Sequence, residues 1–305
     1  MLVLLAPGQG AQTPGMLAAW LELPGAAERI DAWSTISGLD LARLGTIATA
    51  EEITDTAVTQ PLVVAATLLA HEELTKRGLL TGKDVTVAGH SVGEIAAYAI
   101  AEVITADDAV KLAATRGSEM AKACALEPTG MSAVLGGDEA EVLARLEAFD
   151  LVPANRNAAG QIVAAGALSA LEKLAEDPPA KARVRPLATA GAFHTHFMAS
   201  ATDGYARAVQ EVATAESLPP TVRLLSNADG QPVTSAADAM AKLVAQLTRP
   251  VRWDLCIETL RNDKVTAIVE FPPAGTLAGI AKRELRGVPT HAVKSPADLD
   301  GLTEL

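Results

Sequence analysis

Aromatic side chains are scarce in this sequence, since phenylalanine, tyrosine and tryptophan together make up 3% of its 305 residues. The core must therefore be built mainly from alanine, valine and leucine, because 49% of the residues are hydrophobic. Positive charge is also in short supply, with 25 Lys and Arg against 37 Asp and Glu and a formal net charge of −12. A protein with few stacking rings and no excess of basic residues is not expected to bind nucleic acid.

Cysteine, zinc motifs and long apolar segments are missing as well. Cys124 and Cys256 are too few for a disulfide framework and indicate a reducing compartment. Neither CxxC nor HExxH occurs, so we expect no metal site, and we expect no tightly bound cofactor. The N-terminus MLVLLAPGQG lacks basic residues, and no apolar run approaches the roughly 20 residues of a membrane helix. We therefore expect a soluble, cytoplasmic protein that does not enter a membrane.

Short runs rich in leucine and valine alternate with longer helical patterns along most of the chain. The short runs do not alternate apolar with polar residues cleanly, which is typical of strands buried on both faces of a parallel sheet. The sequence thus predicts an α/β fold. The predicted strands cover residues 2–5, 85–89, 222–226, 265–271 and 288–293. The predicted helices cover residues 60–79, 91–101, 106–125, 198–216, 234–247 and 253–262.

The middle of the chain follows a different order of elements. This order, β-α-β-β-α-β, is that of a ferredoxin-like unit. We predict that residues 128–189 form such a subdomain, inserted into a larger α/β subdomain made of residues 1–127 and 190–305. The predicted elements of the insertion are strands at 131–135, 151–155, 161–165 and 182–187, with helices at 139–149 and 168–176.

A nucleophile elbow follows the second predicted strand. Gly89-His90-Ser91-Val92-Gly93 matches the pattern G-x-S-x-G and lies between a strand and a helix, as the motif requires. In so sharp a turn, side chains at the two glycine positions would clash with the neighbouring strand and helix. The turn exposes the Ser91 hydroxyl at the carboxyl edge of the sheet, beside the free N–H groups of a helix N-terminus. A glycine-rich turn capped by a serine is the alternative interpretation.

A serine nucleophile needs an oxyanion hole. The backbone N–H of Val92 is one candidate donor, because it follows the nucleophile. The loop after the first strand fits neither G-x-G-x-x-G nor a P-loop, and a backbone N–H near Gln9 is the second candidate.

A general base must come from one of five histidines. His71 has the pattern of a helix-surface residue, His90 should point away from the serine hydroxyl, and His291 lies in the last predicted strand. His194 and His196 lie in the loop that follows the inserted subdomain, and such loops carry catalytic residues in α/β folds. Position alone does not separate these two.

The motifs together resemble malonyl-coenzyme A:acyl carrier protein transacylases and the related acyltransferase domains of polyketide and fatty-acid synthases. The resemblance spans the whole chain in the family's order, which is more specific than any one motif. It implies a bacterial, free-standing enzyme with a hydrolase-like parallel-sheet core and an inserted ferredoxin-like subdomain. The matching segments are PGQGAQTPGM at 7–16, TQP at 59–61, GHSVGE at 89–94, TRGSEM at 115–120, NRNAAGQIVAAG at 155–166, GAFHTHFM at 191–198, PVRW at 250–253 and EFPPAGTLAGIAKR at 270–283.

The resemblance also implies roles for single residues. Ser91 falls on the family's nucleophile and His194 on its base, while Gln9 and Val92 fall on its oxyanion donors. Arg116 falls on the arginine that holds the malonyl carboxylate. A planar guanidinium suits that role because it can form two parallel charge-assisted hydrogen bonds.

Four more positions follow from the same resemblance. Gln60 and Asn157 align with polar pocket residues, and Phe193 lies in a stretch similar to that of malonyl-selective domains. In the family a main-chain carbonyl near the PVRW segment orients the base, which here implies the carbonyl of Arg252.

The implied reaction is a ping-pong transfer through a malonyl-serine intermediate. Malonyl-coenzyme A would acylate Ser91, and the phosphopantetheine thiol of acyl carrier protein would take the malonyl group away. Coenzyme A thioester is then a substrate and not a bound cofactor, and we expect a monomer. Fatty acid and polyketide biosynthesis are the pathways that such a reaction serves.

Acyl carrier proteins are acidic, so an acidic enzyme needs a local basic patch to bind one. A solvated run of charge is the alternative interpretation of every such patch. The candidates are Lys181, Arg183 and Arg185 on the insertion, and Lys282, Arg283 and Arg286 near the C-terminus.

Two other functions remain open at this point. A lipid acyl hydrolase with a Ser-Asp dyad would use Asp229, although an Asp-Gly turn is expected after a strand in any case. An Arg116 aimed at Ser91 would exclude a neutral lipid as substrate. A non-enzymatic scaffold that only docks a carrier protein would not need both Ser91 and His194.

Overall fold

The structure is a computed structural model that describes residues 1–302. Its larger sheet consists of β1 (Leu2–Ala6), β2 (Val85–Gly89), β7 (Val222–Leu224), β8 (Ala267–Glu270) and β9 (Thr290–Ala292). All neighbouring strands are parallel, in the order β7-β2-β1-β8-β9. Both β1 and β2 are buried at every residue, which explains why their sequences are apolar throughout. The predicted α/β fold with a parallel sheet is confirmed.

Helices cover both faces of this sheet. Leu2 and Leu4 pack in one hydrophobic core, and Val3 and Leu5 in another, because successive side chains of a strand point to opposite faces. No helix within residues 1–302 is long and apolar enough to cross a membrane. The first core holds α1 (Ala26–Ser37), α2 (Leu41–Thr46), α3 (Thr56–Lys76), α4 (Gly93–Ile100), α5 (Ala106–Cys124), α8 (Ala199–Gln210) and α9 (Ala236–Ala245). The second core holds α10 (Trp253–Asn262) and α11 (Thr276–Glu284).

A second, antiparallel sheet is formed by the middle of the chain. Its element order is β-α-β-β-α-β, as predicted, and its strand order is β4-β5-β3-β6 once the strands are numbered along the chain. A separate hydrophobic core lies between this sheet and its helices. The elements are β3 (Thr129–Gly136), α6 (Glu139–Ala148), β4 (Val152–Ala158), β5 (Gln161–Ala167), α7 (Leu168–Glu176) and β6 (Ala182–Pro186).

Strand β4 joins the antiparallel sheet to the rest of the protein. The N–H of Val251 donates to the carbonyl of Ala154, and the N–H of Arg156 donates to the carbonyl of Val251, both at 2.9 Å. Val251 lies just before α10, so these bonds fix β4 against the larger part of the molecule.

Three helices were not predicted from the sequence, namely α1, α2 and α11. Helix α1 starts after Gly25, and no side chain caps its N-terminus, so that a local start signal is missing. Helix α11 is capped from outside its own segment. The carboxylate of Glu270, at the end of β8, accepts hydrogen bonds from the N–H groups of Gly275, Leu277 and Ala278 at 2.8, 3.0 and 2.8 Å. These are free N–H groups at the start of α11.

We expect Glu270→Ala to lower the free energy of unfolding by at least about 3 kcal/mol. The variant leaves three N–H groups without their acceptor, and each unsatisfied buried donor costs about 1–3 kcal/mol. Urea denaturation monitored by circular dichroism measures the change.

Glu284→Ala is the matched control, because Glu284 lies on the same helix and forms an ion pair with Arg261 at 3.1 Å near the surface. Its loss should cost less than about 1 kcal/mol. Equal losses in the two variants would contradict a special role for Glu270.

Candidate active site

The turn between β2 and α4 holds Ser91 in a strained conformation. Its φ is 54°, in the left-handed region that non-glycine residues rarely adopt. A Cβ at Gly89 would clash with the carbonyl of Gly93, and a Cβ at Gly93 would clash with the carbonyl of Ala6. Both glycines are therefore required for the tight passage from strand to helix, and the turn presents Ser91 at the carboxyl edge of the sheet.

Asn227 stabilises this turn from the neighbouring strand. The N–H of Ser91 donates to Asn227 Oδ1 at 2.8 Å, and Asn227 Nδ2 donates to the carbonyl of Gly89 at 2.7 Å. Asn227 follows β7, which lies next to β2 in the sheet. The sequence analysis did not find this residue, although a polar side chain directly after a buried strand is a usable signal.

His194 is the histidine that lies within hydrogen-bond distance of Ser91. Its Nε2 lies 2.8 Å from Ser91 Oγ, and its Nδ1 lies 2.8 Å from the main-chain carbonyl of Gln246. A carbonyl only accepts hydrogen bonds, so Nδ1 carries the proton and Nε2 is free to accept the proton of Ser91. His196 is exposed in a short 3-10 helix, His196–Met198, and takes no part.

The prediction that the carbonyl of Arg252 orients His194 is wrong. That carbonyl accepts hydrogen bonds from the N–H groups of Leu255 and Cys256 at the start of α10. The residue that orients His194 is Gln246, which directly follows α9 and which the sequence analysis missed.

Burial and the nearby guanidinium of Arg116 lower the pKa of His194 to about 3. The imidazole is therefore neutral at pH 7 and is able to act as a base. Arg116 itself is buried, and burial lowers its pKa from the usual value.

Arg116 lies beside the serine in a hydrogen-bonded set of polar side chains. Its Nη1 donates to Gln60 Oε1 at 2.7 Å, its Nη2 donates to Gln246 Oε1 at 2.8 Å, and Nη2 lies 3.4 Å from Ser91 Oγ. The close approach of α5 to α3 depends on Gly117, where a Cβ would lie 2.7 Å from the carbonyl of Thr56. This contact brings Gln60 on α3 and Arg116 on α5 together.

A buried carboxylate, Glu94, completes the set. It accepts a hydrogen bond from the N–H of Asn227 at 2.7 Å and another from the Gln246 side-chain amide. Burial raises the pKa of Glu94 to about 7, against the opposing effect of these hydrogen bonds. Glu94 lies in the segment GHSVGE, where no local sequence signal indicates this role.

The two predicted oxyanion donors, Gln9 and Val92, line the same cavity as Ser91. Val92 is the N-cap residue of α4, and neither its N–H nor that of Gln9 donates to another group within residues 1–302. The loop of Gln9 comes close to the elbow, because a Cβ on Gly8 would lie 2.7 Å from the carbonyl of His90. Both residues thus border the cavity with a backbone N–H that has no hydrogen-bond partner within residues 1–302.

A cavity of about 440 Å³ opens from this site. Ser91, His194, Arg116 and Gln60 line one part of it, and residues of the antiparallel sheet form another wall. Asn157 of β4 lies in that wall, where its Oδ1 is 2.8 Å from Nε2 of His90. The lining residues include Gln9, Gln60, Ser91, Val92, Arg116, Asn157, Phe193 and His194 on the list of predicted positions, and Met131, Ala133 and Val163 from the wall.

The remaining predicted positions lie outside the cavity. Asp229 is half-exposed and forms an ion pair with Lys242 at 3.0 Å, so it is engaged away from the serine, whose partner is His194. Within residues 1–302 no cluster of three His, Cys, Asp or Glu could hold a metal ion. The six basic candidates for carrier binding, Lys181, Arg183, Arg185, Lys282, Arg283 and Arg286, are all exposed.

Comparison with known proteins identifies the family. Residues 3–297 match the acyl transferase domain family. A protein of Mycolicibacterium smegmatis named malonyl CoA-acyl carrier protein transacylase is 79% identical over 294 residues, which cover 95% of this chain and 100% of that protein. The chain belongs to the malonyl CoA-acyl carrier protein transacylase family. It is therefore an acyltransferase, as the sequence analysis predicted.

Two solved structures of this transacylase family have the same fold. The crystal structure described as MCAT from Mycobacterium tuberculosis is 76% identical, with a TM-score of 0.97 and full coverage of both chains. A second structure is described as a type II PKS acyl-carrier protein in complex with its malonyl-transacylase. That transacylase is 29% identical over 99% of both chains, with a TM-score of 0.91.

The lowered pKa of His194 has a measurable consequence for this transacylase. We expect Ser91 to react with a neutral fluorophosphonate at a rate that does not fall to half near pH 6.5, the ordinary pKa of histidine. The imidazole stays neutral down to a much lower pH and keeps its ability to take the serine proton. The measurement is the rate of phosphonylation, followed by intact mass, between pH 5 and pH 8.

Two histidine variants serve as controls in the same assay. His194→Ala should react more slowly at every pH, by about 10²–10⁴, because the general base is gone. His196→Ala should react as the unmodified protein does. A titration near pH 6.5, or an equal loss in both variants, would contradict the assignment.

Proposed function

We propose that this chain transfers a malonyl group from malonyl-CoA to the phosphopantetheine thiol of an acyl carrier protein. The observation that carries the substrate assignment is the buried guanidinium of Arg116, 3.4 Å from the nucleophile Ser91. A cation kept from water is stabilised by an anionic partner, and a bidentate carboxylate is the best fit. A malonyl group brings that carboxylate within reach when its thioester carbonyl lies at the serine.

The first half of the reaction acylates the serine. Ser91 Oγ attacks the thioester carbonyl while its proton passes to His194 Nε2. The N–H groups of Gln9 and Val92 donate hydrogen bonds to the oxyanion, where such donors are most effective. The C–S bond then breaks, the leaving sulfur takes the proton from His194, and malonyl-Ser91 remains.

The second half of the reaction reverses these steps with a new thiol. The phosphopantetheine sulfur loses its proton to His194 and attacks the malonyl ester, and Ser91 regains its proton when the ester bond breaks. The carbonyl of Gln246 stabilises the imidazolium in both halves. Gln60 holds Arg116, while Asn157 and Phe193 border the space of the acyl chain.

The carrier protein approaches the mouth of the cavity in this proposal. Arg283 of α11 donates a hydrogen bond to Gln161, which lines the cavity, so this basic residue lies beside the cavity. An acidic carrier is attracted to such residues even though the chain as a whole is acidic. The solved complex of a related transacylase with its carrier supports this partner. We propose that a monomer is active, because every group that the mechanism uses comes from one chain.

The finer architecture is also part of the proposal. We infer a hydrolase-like core, residues 1–127 and 190–305, that carries a ferredoxin-like subdomain, residues 128–189. The β-α-β-β-α-β order and the strand order β4-β5-β3-β6 support the second assignment. The serine elbow after a central parallel strand supports the first.

The pathway that we propose for this reaction is fatty acid biosynthesis, and polyketide biosynthesis is a further use of the same chemistry.

We expect malonyl-CoA alone to add one malonyl group to the protein, on Ser91. The elbow exposes this hydroxyl to the cavity, and His194 is placed to take its proton. Intact mass and peptide mapping measure the adduct, and addition of holo acyl carrier protein should remove it. Ser91→Ala should form none. An adduct on Cys124 or Cys256 would contradict the proposal.

We expect Arg116→Ala to lower kcat/KM for malonyl-CoA by at least about 30-fold while acetyl-CoA is spared. Malonyl loses its charged partner, and truncating one side of a buried charge pair costs about 2–5 kcal/mol. Acetyl has no carboxylate to lose. Single-turnover acylation with each thioester gives the two values. Equal losses for malonyl and acetyl would make Arg116 a structural residue.

A further inference from the structure

Gln246 serves two catalytic groups at once. Its main-chain carbonyl accepts the hydrogen bond of His194 Nδ1 at 2.8 Å. Its side-chain Oε1 accepts a hydrogen bond from Arg116 Nη2, also at 2.8 Å. The position of one residue after α9 therefore determines how both the base and the guanidinium lie relative to Ser91.

The side-chain amide of Gln246 is useful in only one orientation. A guanidinium has donors and no acceptor, so Oε1 must face Arg116 and the NH₂ group must face elsewhere. A rotation of the amide by half a turn would place NH₂ against the guanidinium. Some acceptor on the other side of the amide is needed to prevent that rotation.

Glu94 is the nearer of two such acceptors, the other being Asn227 Oδ1 at 3.3 Å from Gln246 Nε2. Glu94 Oε2 accepts the hydrogen bond of Gln246 Nε2. Burial disfavours the ionised form of Glu94, but the hydrogen bonds from Asn227 and Gln246 and the charge of Arg116 favour it, and the ionised carboxylate has no donor of its own. With the amide rotated, two acceptors would face each other at Glu94 and two donors at Arg116. The carboxylate thus selects the orientation that Arg116 requires.

Glu94 is itself held firmly. The N–H of Asn227 donates to its Oε1 at 2.7 Å, and it lies in the first turn of α4, where the helix dipole favours negative charge. Its side chain is buried with a relative exposure of 1%, as is that of Arg116. The negative charge of Glu94 raises the pKa of Arg116, against the effect of burial.

We propose that Glu94 is a positioning residue for the acyl group's carboxylate: it fixes the Gln246 amide, and this amide holds Arg116 in place. The proposal rests on the proposed function, because it concerns how Arg116 recognises a malonyl group. Glu94 lies behind Gln246 and does not touch the substrate. Its removal should therefore affect malonyl much more than acetyl.

The test is the ratio of kcat/KM for malonyl-CoA to kcat/KM for acetyl-CoA in Glu94→Gln. The neutral amide can still accept from Asn227, but then it presents NH₂ to the NH₂ of Gln246. We expect the ratio to fall at least about tenfold, which is the effect of losing about one charge-assisted hydrogen bond on Arg116. A purely structural role would lower both values by the same factor and leave the ratio unchanged.

Glu270→Gln is the matched control. It also removes the charge of a buried carboxylate that accepts backbone hydrogen bonds, but those bonds belong to α11 and not to the Arg116 set. Its malonyl-to-acetyl ratio should stay within about twofold of the unmodified protein's. If Glu270→Gln changed the ratio as much as Glu94→Gln, the proposal would be overturned.

A double-variant cycle tests whether Glu94 acts through Gln246. Gln246→Met removes the amide and keeps the main-chain carbonyl for His194, so it should lower the same ratio. Glu94→Gln added to Gln246→Met should then have little further effect, because the amide that it orients is already gone. Independent, additive effects of the two substitutions would contradict the proposal.

Two further measurements keep the outcome clear. If Glu94→Gln does not fold, Glu94→Asp retains the charge but withdraws the carboxylate from Gln246, and a ratio unchanged in Glu94→Asp would overturn the proposal.

The unmodified protein tests the proposed function itself. If it is not malonylated by malonyl-CoA, the proposed function fails. If it prefers malonyl and the ratio survives in the Glu94 variants, only the role of Glu94 fails.

Discussion

Burial of the Arg116 guanidinium is the constraint on which the rest of the site depends. A cation removed from water is tolerated only where hydrogen bonds and opposite charge replace the solvent. Gln60 on α3, Glu94 on α4 and Gln246 after α9 supply them, so three elements far apart in sequence must converge on one side chain. The packing of these helices around α5 is thus also the geometry of the substrate site.

The parallel sheet determines where the reacting groups lie. The loop of Gln9, the elbow of Ser91 and the segment of Asn227 follow β1, β2 and β7, which are adjacent parallel strands. Parallel strands end at the same edge, and that edge is where α/β proteins bind ligands. His194 reaches the serine from outside the sheet, as Arg116 does, and it also has a positive φ, 61°, as Ser91 does. Both reacting side chains are held in conformations that the surrounding structure must enforce.

The sequence predicted those parts of the site that have local signals. The strand before Gly89, the helix after Gly93 and the resemblance around His194 identify the reacting pair. The role of Gln246 could not be predicted, because a main-chain carbonyl carries no residue identity and the contact spans 52 positions. The same argument explains the error at Arg252, whose carbonyl belongs to the first turn of α10.

Long-range contacts also explain what was missed in the fold. Helix α11 has its cap on Glu270, across a proline-rich turn, so no start signal stands next to it in the sequence. Elements whose signals are local, such as β2 at Val85–Gly89 and α10 at Trp253–Asn262, were predicted with the bounds that the structure has. Helix α2 was also missed although Asp40 caps it locally, because its six residues are too few to show a helical period.

The cavity has walls of two independent origins. The reacting groups are anchored in the parallel sheet, whereas Met131, Ala133 and Val163 come from the antiparallel sheet, whose other face has a hydrophobic core of its own. A substitution in that second wall changes the room left for an acyl chain at positions that form no hydrogen bond with the serine, the histidine or the arginine. Natural variation can therefore explore new acyl groups at one wall while selection preserves the proton-transfer geometry at the other.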